Sequence, residues 1–226
     1  MKKIGLSVFI FALFVGLIVS TGCSWSRITN FGGIQGSGTA KTETRSIAGF
    51  NKVEAGGAVN VQITAAQKDF AVSVEADDNL LQSIKTEVSD DTLKIYSEDG
   101  ISTKTLINVK ISMPEIIALE LSGASSGNVA GVNTDLIQLK ISGASKVIID
   151  GEVIRLTADA SGASKIEAEN LKAEDVFIDV SGASGATILA TEELHANASG
   201  ASKIFYVGEP KRIKQDVSGA SSINKK

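Results

Sequence analysis

The chain has 226 residues, 43% hydrophobic and 5% aromatic, with 22 Lys and Arg against 26 Asp and Glu for a net charge of −4. That apolar content is ample for a core and excludes a disordered or fibrous chain, and with few aromatics the core must be built from Val, Ile, Leu and Ala, which suits layered β structure. An acidic balance without a Lys/Arg cluster excludes nucleic-acid binding, where phosphate neutralisation dominates affinity.

Residues 1–22 read as an export signal. Lys2 and Lys3 form a charged start, the run from Ile4 to Val19 is uncharged and mostly apolar, and VSTGC follows. Those 16 residues fall short of the ~20 that span a bilayer comfortably as a helix, and small residues at a cleavage site complete the pattern.

Cys23 is the only cysteine, so it cannot form an internal disulfide. VSTGC resembles a bacterial lipobox, which implies that Cys23 carries lipid, palmitate included, and becomes the mature N-terminus. The motif departs from the usual pattern at Ser20, where an aliphatic residue is expected and Val19 stands one place early. The alternative is an ordinary signal-peptidase site with Ser20 and Gly22 as its small residues. Ser24 stands where Asp would retain a lipoprotein at the inner membrane, which directs the anchor to the outer membrane.

Residues 23–46 are read as the lipidated cysteine and a flexible tether rich in Gly, Ser and Thr. Trp25 falls in this tether or at the membrane interface, and the tail AKTETRS leads into the first strand. Residues 47–226 form the folded domain. In its first half VNVQIT (59–64), FAVSVEA (70–76), TLKIYS (92–97) and INVKIS (107–112) alternate apolar and polar residues, the period of half-buried strands. NLLQSIKTEV (79–88) reads as a helical turn or an irregular corner.

The second half repeats. SGAS begins at Ser122, Ser142, Ser161, Ser181, Ser199 and Ser218, at intervals of 20, 19, 20, 18 and 19 residues. Such a period marks a solenoid, whereas propeller blades need roughly 40 residues. Aligned on the first Ser, the residues one, three and five places earlier are apolar at 17 of 18 positions, the exception being Gln215. The residues two places earlier are Glu120, Lys140, Asp159, Asp179, Asn197 and Asp216, all polar. One strand per unit with alternating faces explains the split. After the corner, Val147 and Ile149, Ile166 and Ala168, and Ile204 and Tyr206 should face in, with Lys146, Lys165 and Lys203 facing out. Stacked coils put equivalent strands side by side: an all-β, right-handed parallel β-helix of about 19-residue coils, with an irregular β-rich N-terminal part that continues it in longer coils.

The corners are architecture. Gly123, Gly143, Gly162, Gly182, Gly200 and Gly219 can take positive φ. The alanine that follows is expected to point inward, and the serines to bond nearby backbone or one another in hydroxyl ladders. The alternative is a ligand-binding row of hydroxyls. In the outward row Asp159 and Asp179 would be stacked neighbours, read as solvated surface with Lys146 and Lys165 within reach; a weak cation site is the alternative, at the cost of like charges side by side. His195, the only histidine, lies on an outer strand face without a Cys partner for zinc, and its proximity to some serine is read as accidental rather than catalytic. The sequon Asn197–Ser199 is a chance match. No catalytic, cofactor or metal residue is assigned.

With these repeats in view, the chain resembles the head GIN domain family of putative auto-transporter adhesins, frequent among exported and lipidated proteins of the Bacteroidetes. The resemblance covers roughly Phe50 to Ile223 and rests on IAGFNKVEAGGAVNVQIT, VEADDNLLQSIKTEVSDDTLKIY, the SGAS units and VGEPKRIKQDVSGASS. It implies a β-helix and an adhesive role, and supplies no catalytic residue to carry over.

The leading expectation is a non-enzymatic cell-envelope lipoprotein, an adhesive or scaffolding module with an unknown glycan or protein ligand. An uncapped C-terminal end suggests an end-to-end homo-oligomer, opposed by the charges of Lys225 and Lys226. The alternatives are a periplasmic sensing or envelope-stress module and a polysaccharide lyase or hydrolase. The last would need clustered charges and aromatic platforms, whereas Phe177, Phe205 and Tyr206 are scattered in the sequence and Arg155 and Arg212 lie in different coils.

Overall fold

The computed structural model describes residues 33–98 and 100–226, and Gly32–Lys226 forms one compact unit with its own core. The leader, Cys23 and Trp25 lie outside the described residues. The strands of the first half are β1 (Ile34–Gln35), β2 (Ala40–Arg45), β3 (Lys52–Ala55), β4 (Val59–Thr64), β5 (Ala71–Asp77), β6 (Ile84–Ser89), β7 (Thr92–Ser97), β8 (Ile101–Ser102) and β9 (Ile107–Ser112). The second half holds β10 (Ala118–Leu121), β11 (Ser126–Ile141), β12 (Lys146–Ala160), β13 (Lys165–Val180), β14 (Gly185–Ala198), β15 (Lys203–Val207), β16 (Arg212–Val217) and β17 (Ser222–Lys225). There is no helix among the described residues.

From β10 onward each strand pairs in parallel with the strand one coil later. Leu119, Leu139, Ala158, Ile178 and Ala196 fall in one column, the spacing that the SGAS intervals dictate. The result is a β-solenoid of about five turns. Within β12 the inward residues are Val147, Ile149, Val153, Leu156, Ala158 and Ala160, and alternation breaks at 150–152 and at 154–155. Strict period two would send the next residue to the wrong face, so the breaks let one strand bend around the core. Fully buried Leu139 and Leu156 each contribute about 2 kcal/mol of burial. Two departures from the expected inward set occur. Ile117 is only half-buried because Ile116 takes the core position, and in the last coil Ile213, Gln215 and Val217 are exposed.

At every SGAS corner the glycine has φ between 72° and 78°. A Cβ there would stand 2.3–2.8 Å from the carbonyl oxygen of the glycine one coil earlier. That carbonyl accepts a hydrogen bond from the alanine N–H at 2.6–2.8 Å, so the corners are drawn together where only glycine fits. The column begins earlier than the motif: Gly57, in the GGAV corner at 56–59, stands beneath Gly123. The alanine does not point inward as expected. Ala124, Ala144, Ala163, Ala183 and Ala201 are exposed, and the second serines, Ser125, Ser145, Ser164, Ser184 and Ser202, are the buried residues. With the glycine left-handed, the alternation resumes one residue later than the compact-corner reading assumed.

The N-terminal half continues the solenoid, but out of chain order. β3 and β4 pair in parallel with β10 and β11, and β7 and β9 pair in parallel with β3 and β4 on the other side. The edge beyond is closed by antiparallel strands: β6 on β7, β5 on β9 and β2 on β5. NLLQSIKTEV is therefore a turn followed by β6, and the ordered fold extends into the segment read as tether. Composition concealed this because β2 is an exposed edge strand whose polar residues need no core face. Asp77 stitches the region together. Wholly buried, it accepts the N–H of Gly38 at 2.7 Å, of Lys104 at 2.8 Å and of Thr105 at 3.2 Å. Burial pushes its carboxyl up, and these donors outweigh that and hold it below the ordinary value.

Gly143→Ala would place a methyl 2.4 Å from the Gly123 oxygen at φ 72°. Stability should fall by at least about 2 kcal/mol, whereas Ala144→Ser on the exposed side of the same corner should stay within about 0.5 kcal/mol; urea denaturation of both variants measures the difference.

Candidate binding surface

The two serines of each corner differ: the first, Ser122, Ser142, Ser161, Ser181, Ser199 and Ser218, are half-buried or exposed at the surface, and the buried ones are all second serines. The second serines are turned inward, where Ser164 Oγ donates to the Ile141 carbonyl at 3.2 Å and Ser202 Oγ to the Val180 carbonyl at 3.0 Å. Ser164 and Ser184 hydroxyls lie 3.3 Å apart, one rung of an internal ladder. Each buried hydroxyl so placed avoids the penalty of an unpaired polar group.

The outer side of β12, β13, β14 and β16 is where side chains of different character meet. Three rows run across the coils in register: Arg155, Asp175, Glu193 and Arg212; Thr157, Phe177, His195 and Lys214; Asp159, Asp179, Asn197 and Asp216. In the middle row the Phe177 and His195 rings stack with centroids 4.9 Å apart and planes at 22°. The Arg155 guanidinium lies 5.4 Å from the Phe177 centroid and bonds Asp175 Oδ2 at 3.3 Å, a cation–π contact steadied by an ion pair. Glu193 reaches both ways: Oε1 lies 2.6 Å from His195 Nε2, and Oε2 accepts from Arg212 Nη2 at 2.8 Å. Arg212 first, and then His195, hold its carboxyl down at about 2. His195 is thus engaged by a carboxylate and an aromatic ring, not by a serine hydroxyl.

In the third row Asn197 Nδ2 donates to Asp179 Oδ1 at 2.6 Å. The Asp159 carboxyl is pushed up, chiefly by burial and then by Asp179, with Lys140 opposing. The expected lysine partners are elsewhere: Lys146 and Lys165 both pair with Glu167, at 2.9 and 2.6 Å. Lys140 bonds Glu120 at 2.9 Å. Among the described residues no group of three or more His, Cys, Asp or Glu is placed to hold a metal ion. A polar depression of about 440 Å³ spans β11, β12 and β13, lined by Glu115, Asp135, Glu152, Lys172 and Glu174 among others.

Arg155, Phe177 and Arg212 look unrelated in the sequence, yet the repeat contains the signal that joins them. The first row stands six residues before each SGAS and the second stands four before. Extending the corner alignment by those two outward steps brings the arginines, the phenylalanine and His195 together.

Residues 49–210 match the family described as "Putative auto-transporter adhesin, head GIN domain". The chain belongs to this family. Solved structures share the fold of this chain at low identity. A putative adhesin from Bacteroides fragilis aligns with a TM-score of 0.71 and 23% identity over 86% of this chain and 100% of its own. One from Parabacteroides merdae gives 0.59 and 17% over 85% and 98%. A protein from Parabacteroides distasonis titled a putative lipid binding protein gives 0.54 and 22% over 85% and 99%. Comparison with curated proteins finds no match.

Because the Glu193 carboxyl sits near 2 against an ordinary 4.5, its pairing stabilises the fold above pH 4.5 and is lost as pH falls toward 2. Glu193→Gln should flatten that part of the profile, measured as melting temperature between pH 2 and pH 6.

Proposed function

We propose that this head GIN domain is a non-enzymatic, adhesin-like binding module of the cell envelope, held at the outer membrane through lipid on Cys23, with the outer face of β12, β13, β14 and β16 as its contact surface. The observation that carries this reading is the stack of Arg155, Phe177 and His195, with the Arg155–Asp175 and Arg212–Glu193 ion pairs along one side of it. Aromatic rings and arginines dominate binding energy at interfaces. Here they are held on a backbone ladder, so little conformational freedom is lost on contact. The family, and the structures titled putative adhesins that share its fold, support a binding role at an exported, envelope-facing location. The rows suit an extended partner with alternating polar groups, a glycan or a protein segment, lying across the coils.

Glycan and extracellular-matrix arrays probed with residues 33–226 test the surface. A Phe177→Ala, His195→Ala variant should lose roughly 10- to 100-fold in affinity, the size expected for two interface anchors, while keeping its melting temperature within a few degrees. Unchanged binding would remove this face from the reading, and release of cleaved product from any polysaccharide would replace adhesion by lyase or hydrolase chemistry.

Localisation is tested separately. Protease added to intact cells should digest the full-length chain, and Cys23→Ala should release the protein from the membrane. Protection with membrane association intact would favour a periplasmic sensing or scaffolding role.

A further inference from the structure

Among the described residues the last coil leaves two strand edges open, those of β16 and β17, each paired on one side only. β16 pairs with β14 on one side, and among the described residues no strand pairs its other side. Ile213 and Val217 stand in the columns of buried Leu194 and Ala198, yet are 48% and 47% exposed. The Ser218 N–H donates back to the Ala198 carbonyl at 2.9 Å. Backbone groups alternate sides along a strand, so those of Lys214 and Asp216 also point toward β14, and those of Ile213, Gln215 and Val217 point to the free edge.

We infer that this edge pairs with the same edge of a second copy, antiparallel, about a two-fold axis through Gln215. The sequence RIKQDV of β16 is self-complementary in that register. Ile213 comes opposite Val217 of the second copy on the core side, and Lys214 comes opposite Asp216 of the second copy on the outer side, each pair occurring twice by symmetry. The free N–H and C=O groups of Ile213, Gln215 and Val217 then meet one another across the seam. Neighbouring registers are worse. An axis through Lys214 sets two lysines face to face, an axis through Asp216 sets two aspartates face to face, and a half-step mixes core and outer faces. The charges of Lys225 and Lys226 do not stand against this, because each is paired within its own chain, to Glu209 and Glu169. The seam covers the aggregation-prone edge of β16 and joins the Ile213 column of one copy to the Val217 column of the other, with the two Gln215 side chains facing each other between them on the core side.

Sedimentation equilibrium of residues 33–226 tests the pairing. A dimer should populate at concentrations on the order of 100 µM, as fits an interface at the small end of the size range. Lys214→Asp and Asp216→Lys, each of which brings like charges together, should shift the protein to monomer, and the double exchange should restore the dimer. Gln215→Pro removes an N–H at the free edge without touching the bonds to β14, and should give a folded monomer, with folding checked by circular dichroism. A monomer at every concentration would overturn the inference, as would a dimer indifferent to the single charge reversals or one that the double exchange fails to restore.

Discussion

Successive coils of this solenoid meet at a point where no side chain fits. The corner-glycine carbonyl takes a hydrogen bond from the alanine N–H of the next coil at 2.6–2.8 Å, and the space left for a Cβ is shorter than any carbon–oxygen contact tolerates. Slipping one coil by a residue would drive a methyl into a carbonyl and turn every aliphatic side chain to solvent. Register is therefore pinned at one point per turn. The buried serines two places after each glycine follow from the same geometry, since their hydroxyls are carried inward to backbone carbonyls that can accept them.

A pinned register on the inside becomes a pinned register on the outside. Inward columns accept only aliphatic groups whose volumes fit their neighbours, as where Ala158, Ile178 and Ala196 stack in turn. Outward columns carry no such constraint, and Thr157, Phe177, His195 and Lys214 succeed one another freely. The scaffold thus turns differences between coils into a two-dimensional pattern of rings and charges, each held by a β-ladder rather than a loop. That separation lets a repetitive core carry a specific surface.

The two ends of the stack are treated differently. At the N-terminal end antiparallel strands cover the edge, and Asp77 ties two loops beneath them with a carboxylate that backbone donors keep charged. At the C-terminal end β16 has exposed core-column residues, and among the described residues no strand pairs its outer edge. Edges of this kind are normally blunted or used. The two-fold complementarity of β16 places it with the second kind.

Much of this was legible from the chain alone. The intervals between SGAS motifs set coil length, and alternation around them named the columns that are buried, because period two and a fixed repeat are properties of the backbone. The N-terminal order was not legible, since β7 and β9 lie on the far side of β3 and β4 through contacts between residues tens of positions apart. Nor was the inward turn of the second serines, which depends on the left-handed glycine, or the ordering of β2, which depends on a partner strand rather than on its own composition. The sequence by itself determined a β-solenoid, its period and its aliphatic columns. Only the tertiary structure decided which of the aligned outer residues touch: Arg155 lies over Phe177, Phe177 stacks on His195, and Glu193 links His195 to Arg212, because side-chain contacts depend on how the coils stack and not on the period.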